Sequence, residues 1–235
     1  MPELDQRSTE RERPAGSAIS RLVKDPVSRR KFMAVGGSST LAAAFLAACG
    51  GGGSSSSTTT TESKPMNNGK ESETEQFGKG DIGILNYALT LEYLETAFYE
   101  EVGKSGLFKG EELAVLKKFG SEEKQHVEAL HGTVIKLGGK PAPKPKTEFP
   151  LENATAVAEL AGTVENLGAA AYLGQAGNIE SPEVLAAALS IHSVEARHAA
   201  TLNTLLGLSI TPDGAFGKPA DVQTVLKSVE PFIVG

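Results

Sequence analysis

Residues 92–99 read Glu92-Tyr93-Leu94-Glu95-Thr96-Ala97-Phe98-Tyr99, and residues 165–172 read Glu165-Asn166-Leu167-Gly168-Ala169-Ala170-Ala171-Tyr172. Glu, Leu, Ala and Tyr coincide at an offset of 73 residues (165 − 92). Farther along, Ser121-Glu122-Glu123-Lys124-Gln125-His126 aligns with Ser193-Val194-Glu195-Ala196-Arg197-His198 at an offset of 72 (195 − 123), and Leu130 then matches Leu202. Two offsets that agree within one residue mark a duplicated unit. Each copy supplies one lone glutamate and then one Glu-x-x-His.

The surrounding periodicity places these residues on helices. Ile82, Leu85 and Leu89 recur at spacings of three and four, which predicts a helix capped by Asp81 and continuing to Val102 before Gly103. A second helix is predicted over about 111–137, with Leu116, Phe119, Leu130, Val134 and Leu137 on one stripe and Gly138-Gly139 as the stop. A third, rich in alanine and glycine, covers about 154–177. The fourth opens with Ser181 as cap, Pro182 in the first turn and Glu183 near the positive helix end, and runs to about Leu206. Between the pairs, Pro141, Pro143, Pro145 and Pro150 forbid helix. At about 3.3 Å per residue such an extended stretch can cross a bundle from end to end. A short helix is predicted over 222–229. The expected fold is therefore all-α: a four-helix bundle of two hairpins joined by one long crossover, over residues 80–235.

Glu92 falls in the seam Leu85, Leu89, Thr96, Tyr99, while Glu195 and His198 fall in the row Val184, Ala188, Ile191, Leu202, Leu205. Charges on a core face must be compensated. The Glu and His of each Glu-x-x-His share one helix face and can grip one ion together. One lone glutamate plus one Glu-x-x-His from each of two hairpins is the inventory of a dinuclear carboxylate site. The candidate metal ligands are Glu92, Glu123, His126, Glu165, Glu195 and His198, with Glu123 and Glu195 bridging, Glu92 and Glu165 terminal, and one histidine per ion. Glutamate and imidazole suit iron and manganese, and the lack of thiolates argues against a structural zinc site. A hydrogen-bonded, partly protonated polar core is the alternative. Glu95 lies about 60° around the helix from Glu92 and has Gly168 as its counterpart, so it is expected beside the ligands or at the surface. Tyr99 and Tyr172 read first as core aromatics, with donation to ligand carboxylates as a further role. His131 and His192 read as bundle-edge residues.

Through the Leu91-Glu92-Tyr93-Leu94-Glu95 segment and the two Glu-x-x-His motifs, the chain resembles the ferritin-like superfamily over about residues 80–235, in particular its exported, desiccation-related group. The resemblance implies a ferritin-like bundle with two iron or manganese ions and oxygen or peroxide chemistry, as in a dinuclear oxidase, peroxidase or catalase-like protein. Non-catalytic metal storage and a desiccation-protective structural lipoprotein stand as alternatives, and whether the chain turns over a substrate stays open.

Residues 1–48 read as an export signal. Ser28-Arg29-Arg30-Lys31-Phe32-Met33 resembles a twin-arginine (Tat) motif, and the uncharged stretch that follows is diluted by Gly36, Gly37, Ser38, Ser39 and Thr40. Leu46-Ala47-Ala48-Cys49 resembles a bacterial lipobox, which makes the single cysteine a lipidation site. A transmembrane anchor is the alternative, but Phe32 to Ala48 spans only 17 residues, and a span needs about 20 strongly apolar ones. Residues 49–79 are expected to form a Gly/Ser/Thr-rich linker. The expected location is the outer face of the cytoplasmic membrane or the periplasm, attached to lipid through Cys49. A net charge of −6 and a pI near 5.4 exclude a phosphate-neutralising surface, so nucleic acid is not an expected partner. Assembly into a homo-oligomer stays open, though a tether disfavours a closed cage.

Overall fold

The computed structural model describes residues 73–234, so the expected export signal, Cys49 and most of the expected linker lie outside the described residues. The described part is all-helical: α1 (Gly80–Lys104), α2 (Gly110–Lys136), α3 (Ala154–Ala176), α4 (Pro182–Leu205) and a short α5 (Val222–Val229), with 3-10 turns at Glu75–Phe77 and Glu230–Phe232. α1 packs chiefly on α2 and α3 on α4, which makes two hairpins that meet across α1 and α3.

Local chemistry sets most of the helix ends. Asn153 accepts from Ala156 N–H at 3.0 Å and Ser181 from Val184 N–H at 3.3 Å, each satisfying a donor the helix start leaves free. Two sequence expectations need correction. Asp81 does not cap α1; it sits inside the first turn, after Lys79. Its carboxylate instead accepts from Glu180 and Ser181 N–H, both at 2.8 Å, and so ties the start of α1 to the start of α4. Leu137 does not continue the apolar stripe, because it follows the last turn of α2 and is 43% exposed.

The core is layered along the bundle. One apolar cluster includes Phe98, Tyr99, Val102, Leu116, Phe119, Val157, Ala161 and Leu202. Another includes Leu85, Leu89, Leu130, Val134, Tyr172, Val184 and Ile191. On every long helix the charged residues of the duplicated motif fall between these two sets, which places them at mid-bundle. α5 closes a third cluster, laying Val222, Val225 and Val229 against Tyr87, Leu91 and Leu94 of α1 and Ala171 of α3.

The crossover of residues 137–153 is extended, as its prolines require. Asn86 holds its start: the side-chain amide donates to Lys140 O at 3.0 Å and accepts from Ala142 N–H at 2.8 Å. The C-terminal segment pairs with its far end, with Glu148 N–H donating to Phe232 O and Val234 N–H to Lys146 O, both at 3.0 Å. Phe149 then stacks edge-on against Phe98 and lies against Phe232.

Candidate metal centre

Glu92, Glu123, Glu165 and Glu195 are all fully buried, one from each long helix, and His198 is 3% exposed. They converge in two overlapping groups. Glu92, Glu123, Glu195 and His126 form one, and Glu123, Glu165, Glu195 and His198 form the other. Within each group one ligand atom per residue lies within 4.8 Å of the rest. All six sequence-predicted ligand candidates are therefore brought together, and the two shared by both groups are Glu123 and Glu195.

Nδ1 of His126 lies 2.8 Å from Glu123, 3.2 Å from Glu92 and 3.2 Å from Glu195. Nδ1 of His198 lies 2.8 Å from Glu123 and 3.3 Å from Glu165. Each imidazole thus faces Glu123 and one lone glutamate, Glu92 for His126 and Glu165 for His198, and His126 faces Glu195 as well. The tyrosines link the halves crosswise: Tyr172 O–H donates to Glu92 Oε1 at 2.5 Å, and Tyr99 O–H donates to Glu165 Oε1. Both rings are also core residues.

Burial pushes every carboxyl here upward, because it disfavours the charged form. For Glu92 the His126 contact only partly offsets burial, and the carboxyl reaches about 7. Burial raises Glu165 as well. Glu195 is pushed well above the usual carboxylate range, first by burial and then by the neighbouring Glu92 charge. Glu123 goes the other way: burial raises it, but the two imidazoles beside it, His126 by hydrogen bond and His198 by its close charge, win and bring it to about 2. Burial lowers the imidazoles, yet the surrounding carboxylates outweigh it and hold His126 at about 12 and His198 at about 11. Without cations, this centre holds its excess negative charge by keeping protons.

The polar atoms test whether metal fits. Glu123 Oε1, Glu165 Oε2, both oxygens of Glu195 and His198 Nδ1 are buried with no hydrogen-bond partner. His198 Nδ1 and Glu123 Oε1 are close in distance but not aligned as donor and acceptor. Such unpaired buried atoms cost about 1–3 kcal/mol each, and here they face a common space. Cations bound there would satisfy them, and the Glu/His donor set suits a hard or borderline divalent ion. The residues present fit a metal centre.

Glu95 is a correction to the surface half of its reading. It is 3% exposed, and its carboxylate is raised by burial and then by Glu195 and Glu92. It occupies the space that Gly168 leaves: a Cβ on residue 168 would come within 2.8 Å of Glu95 Oε1 and 3.1 Å of Glu195 Oε2. His131 is exposed, and half-buried His192 contacts Ala169 O at 3.0 Å, so both are outside the centre as expected. Sequence reading missed Glu122, whose Oε2 lies 3.0 Å from His198 Nε2. The adjacent pair Glu122-Glu123 was the available signal, since neighbours on a helix point about 100° apart and one can face inward while the other reaches toward the next helix.

The fold and centre together define a class: an all-α helical bundle whose mid-core Glu/His cluster is compatible with a metal site. A family model described as a ferritin-like domain matches residues 80–208. The chain belongs to this ferritin-like family. Among solved structures, the conserved hypothetical protein rv2844 from Mycobacterium tuberculosis is similar at a TM-score of 0.49 and 21% identity, over 60% of this chain and 95% of its own length. No curated protein matches the sequence.

Proposed function

We propose that the chain is a dinuclear iron or manganese protein that acts on dioxygen or peroxide from the outer face of the cytoplasmic membrane or the periplasm. The observation that carries this is the pair of overlapping Glu/His groups sharing Glu123 and Glu195. Glu123 and Glu195 would be shared between the two ions, Glu92 and Glu165 would each hold one, and His126 and His198 would serve one ion each. When bound, two such ions supply a two-electron change shared across bridging carboxylates. The chain's own contribution is to hold Glu92 and Glu165 through the phenols of Tyr172 and Tyr99 and to keep water out with the apolar layers on either side.

A small oxidant suits the surroundings. A cavity of about 20 Å³ is lined by Leu85, Ala88, Leu130, Tyr172, Val184 and Ala188, among others. Ala88 and Leu130 stand one turn from Glu92 and His126. Its walls are apolar and its size is that of a molecule or so as small as water, so a small uncharged molecule fits. Anchoring rests on the lipobox-like Leu46-Ala47-Ala48-Cys49, and the membrane is the partner it implies.

Elemental analysis of the purified chain, paired with oxygen- and peroxide-consumption assays, tests the proposal. Two ions per chain with oxidant consumption is the expected result. Metal-free protein after incubation with Fe(II) and Mn(II) would refute it. Two ions held without consumption would instead favour the second reading, a storage or envelope-protective protein.

A further inference from the structure

The duplicated unit repeats the ligands but not what stands behind them. His198 Nε2 faces Glu122 Oε2 at 3.0 Å. Glu122 also pairs with Lys118 at 2.5 Å, so the carboxylate is held from both sides. The His198 ring stacks on Phe119 with centroids 4.0 Å apart and planes at 24°. At the offset that superposes the two Glu-x-x-His motifs, the residues that would serve His126 in the same way are Val194 and Ile191. Valine offers no acceptor and isoleucine no flat face. The His126 side chain also keeps 11% of its surface open, against 4% for His198.

We infer that the two halves of the centre load unequally, with Glu122 as the positioning residue that sets the order. The ion held by Glu123, Glu165, Glu195 and His198 binds first and more tightly. The ion held by Glu92, Glu123, Glu195 and His126 binds second. An imidazole that donates its outer N–H to a carboxylate has its tautomer and ring orientation fixed with the other lone pair toward the metal, and its basicity rises. Stacking on Phe119 removes the remaining freedom of the ring. Losing such an outer partner typically lowers metal affinity by about 10- to 100-fold. Because the ligand sets of the two halves are alike in kind and number, this difference decides which half fills first.

The inference rests on the dinuclear reading above, and its test separates the two. Metal-free full-length chain is titrated with Mn(II), following heat by calorimetry and free Mn(II) by its paramagnetic resonance signal. The expected result is two ions in two steps separated by about 10- to 100-fold. Glu122→Val, which gives the His198 half the residue that the His126 half has at the matching position, is expected to weaken the tight step by that factor and leave the other in place, so the steps merge. Val194→Glu is expected to tighten the weaker step. If it fails to fold, Glu122→Val alone decides. Two ions taken up by the native chain in one step of equal affinity would overturn the inference and leave the dinuclear reading standing. So would a Glu122→Val variant that lowers both steps alike, which is the mark of a merely structural role. No uptake of Mn(II), nor of Fe(II) titrated anaerobically in its place, would overturn the dinuclear reading and this inference with it.

Discussion

Glu92 and Glu165 are held in the same way from opposite directions, each by the phenol of the other repeat's tyrosine. Replacing Tyr172 by Phe leaves Glu92 Oε1 without its donor inside a closed core. The metal-free protein is expected to lose about 1–3 kcal/mol in urea unfolding, the cost of an unsatisfied buried acceptor, with its helical content unchanged. Glu123 and Glu195 should be the most sensitive positions for metal, because each belongs to both groups. Glu123→Ala is expected to abolish binding of both ions in elemental analysis, whereas Glu92→Ala removes one. Gly168→Ala puts a methyl group into space used by the Glu95 and Glu195 carboxylates, and should lower Mn(II) affinity in calorimetry while the fold is retained. At this scale the ligand set was legible because Glu-x-x-His is a local spacing on one helix. Glu122 was not, since its partner lies 76 residues away.

The elements were readable from period and punctuation, and their ends fall within a few residues of expectation. Ser181-Pro182 and Asn153 act on the turn that follows them, so their sequence context suffices. Asp81 misled because a carboxylate near a helix start can cap its own helix or accept from another, and only the packed α1 and α4 starts show the second. The crossover was readable as extended, but its attachment was not. Phe149 is buried between Phe98 of α1 and Phe232 of the C-terminal segment, joining three separate stretches of chain. Phe149→Ala is expected to cost about 3–5 kcal/mol, measured by chemical denaturation, because neighbours from three elements cannot collapse together into the hole.

For the whole molecule, the mid-bundle cluster makes stability depend on pH with opposite sign in the two metal states. In the metal-free protein Glu92 is raised to about 7, so between its unfolded value near 4.5 and about 7 the folded state binds more protons and stability falls as pH rises. His126 and His198 are raised to about 12 and 11 from 6.5. Their contribution is complete below about 6.5 and is lost as pH climbs toward those values. Both effects run the same way, so the Tm of protein in chelator is expected to fall from pH 5 to pH 9. Cations must displace these protons to bind, so affinity, and with it the stabilisation from bound metal, rises with pH. The Tm increment produced by saturating Mn(II) should therefore grow from pH 5 to pH 8. An increment independent of pH would contradict the protonated cluster.

What the amino-acid order determined alone was whatever depends on short spacings: four long helices, the proline-stiffened crossover, the duplication, and six ligand candidates on inward faces. Backbone geometry carries such information over three or four residues. Tertiary structure alone decided that Tyr99 and Tyr172 donate across the repeats, that Glu95 points inward beside Gly168, and that Glu122 supports one histidine and not the other. Those contacts join positions 66 to 80 residues apart. Ångström differences in helix packing set them, and no periodicity in the sequence encodes those differences.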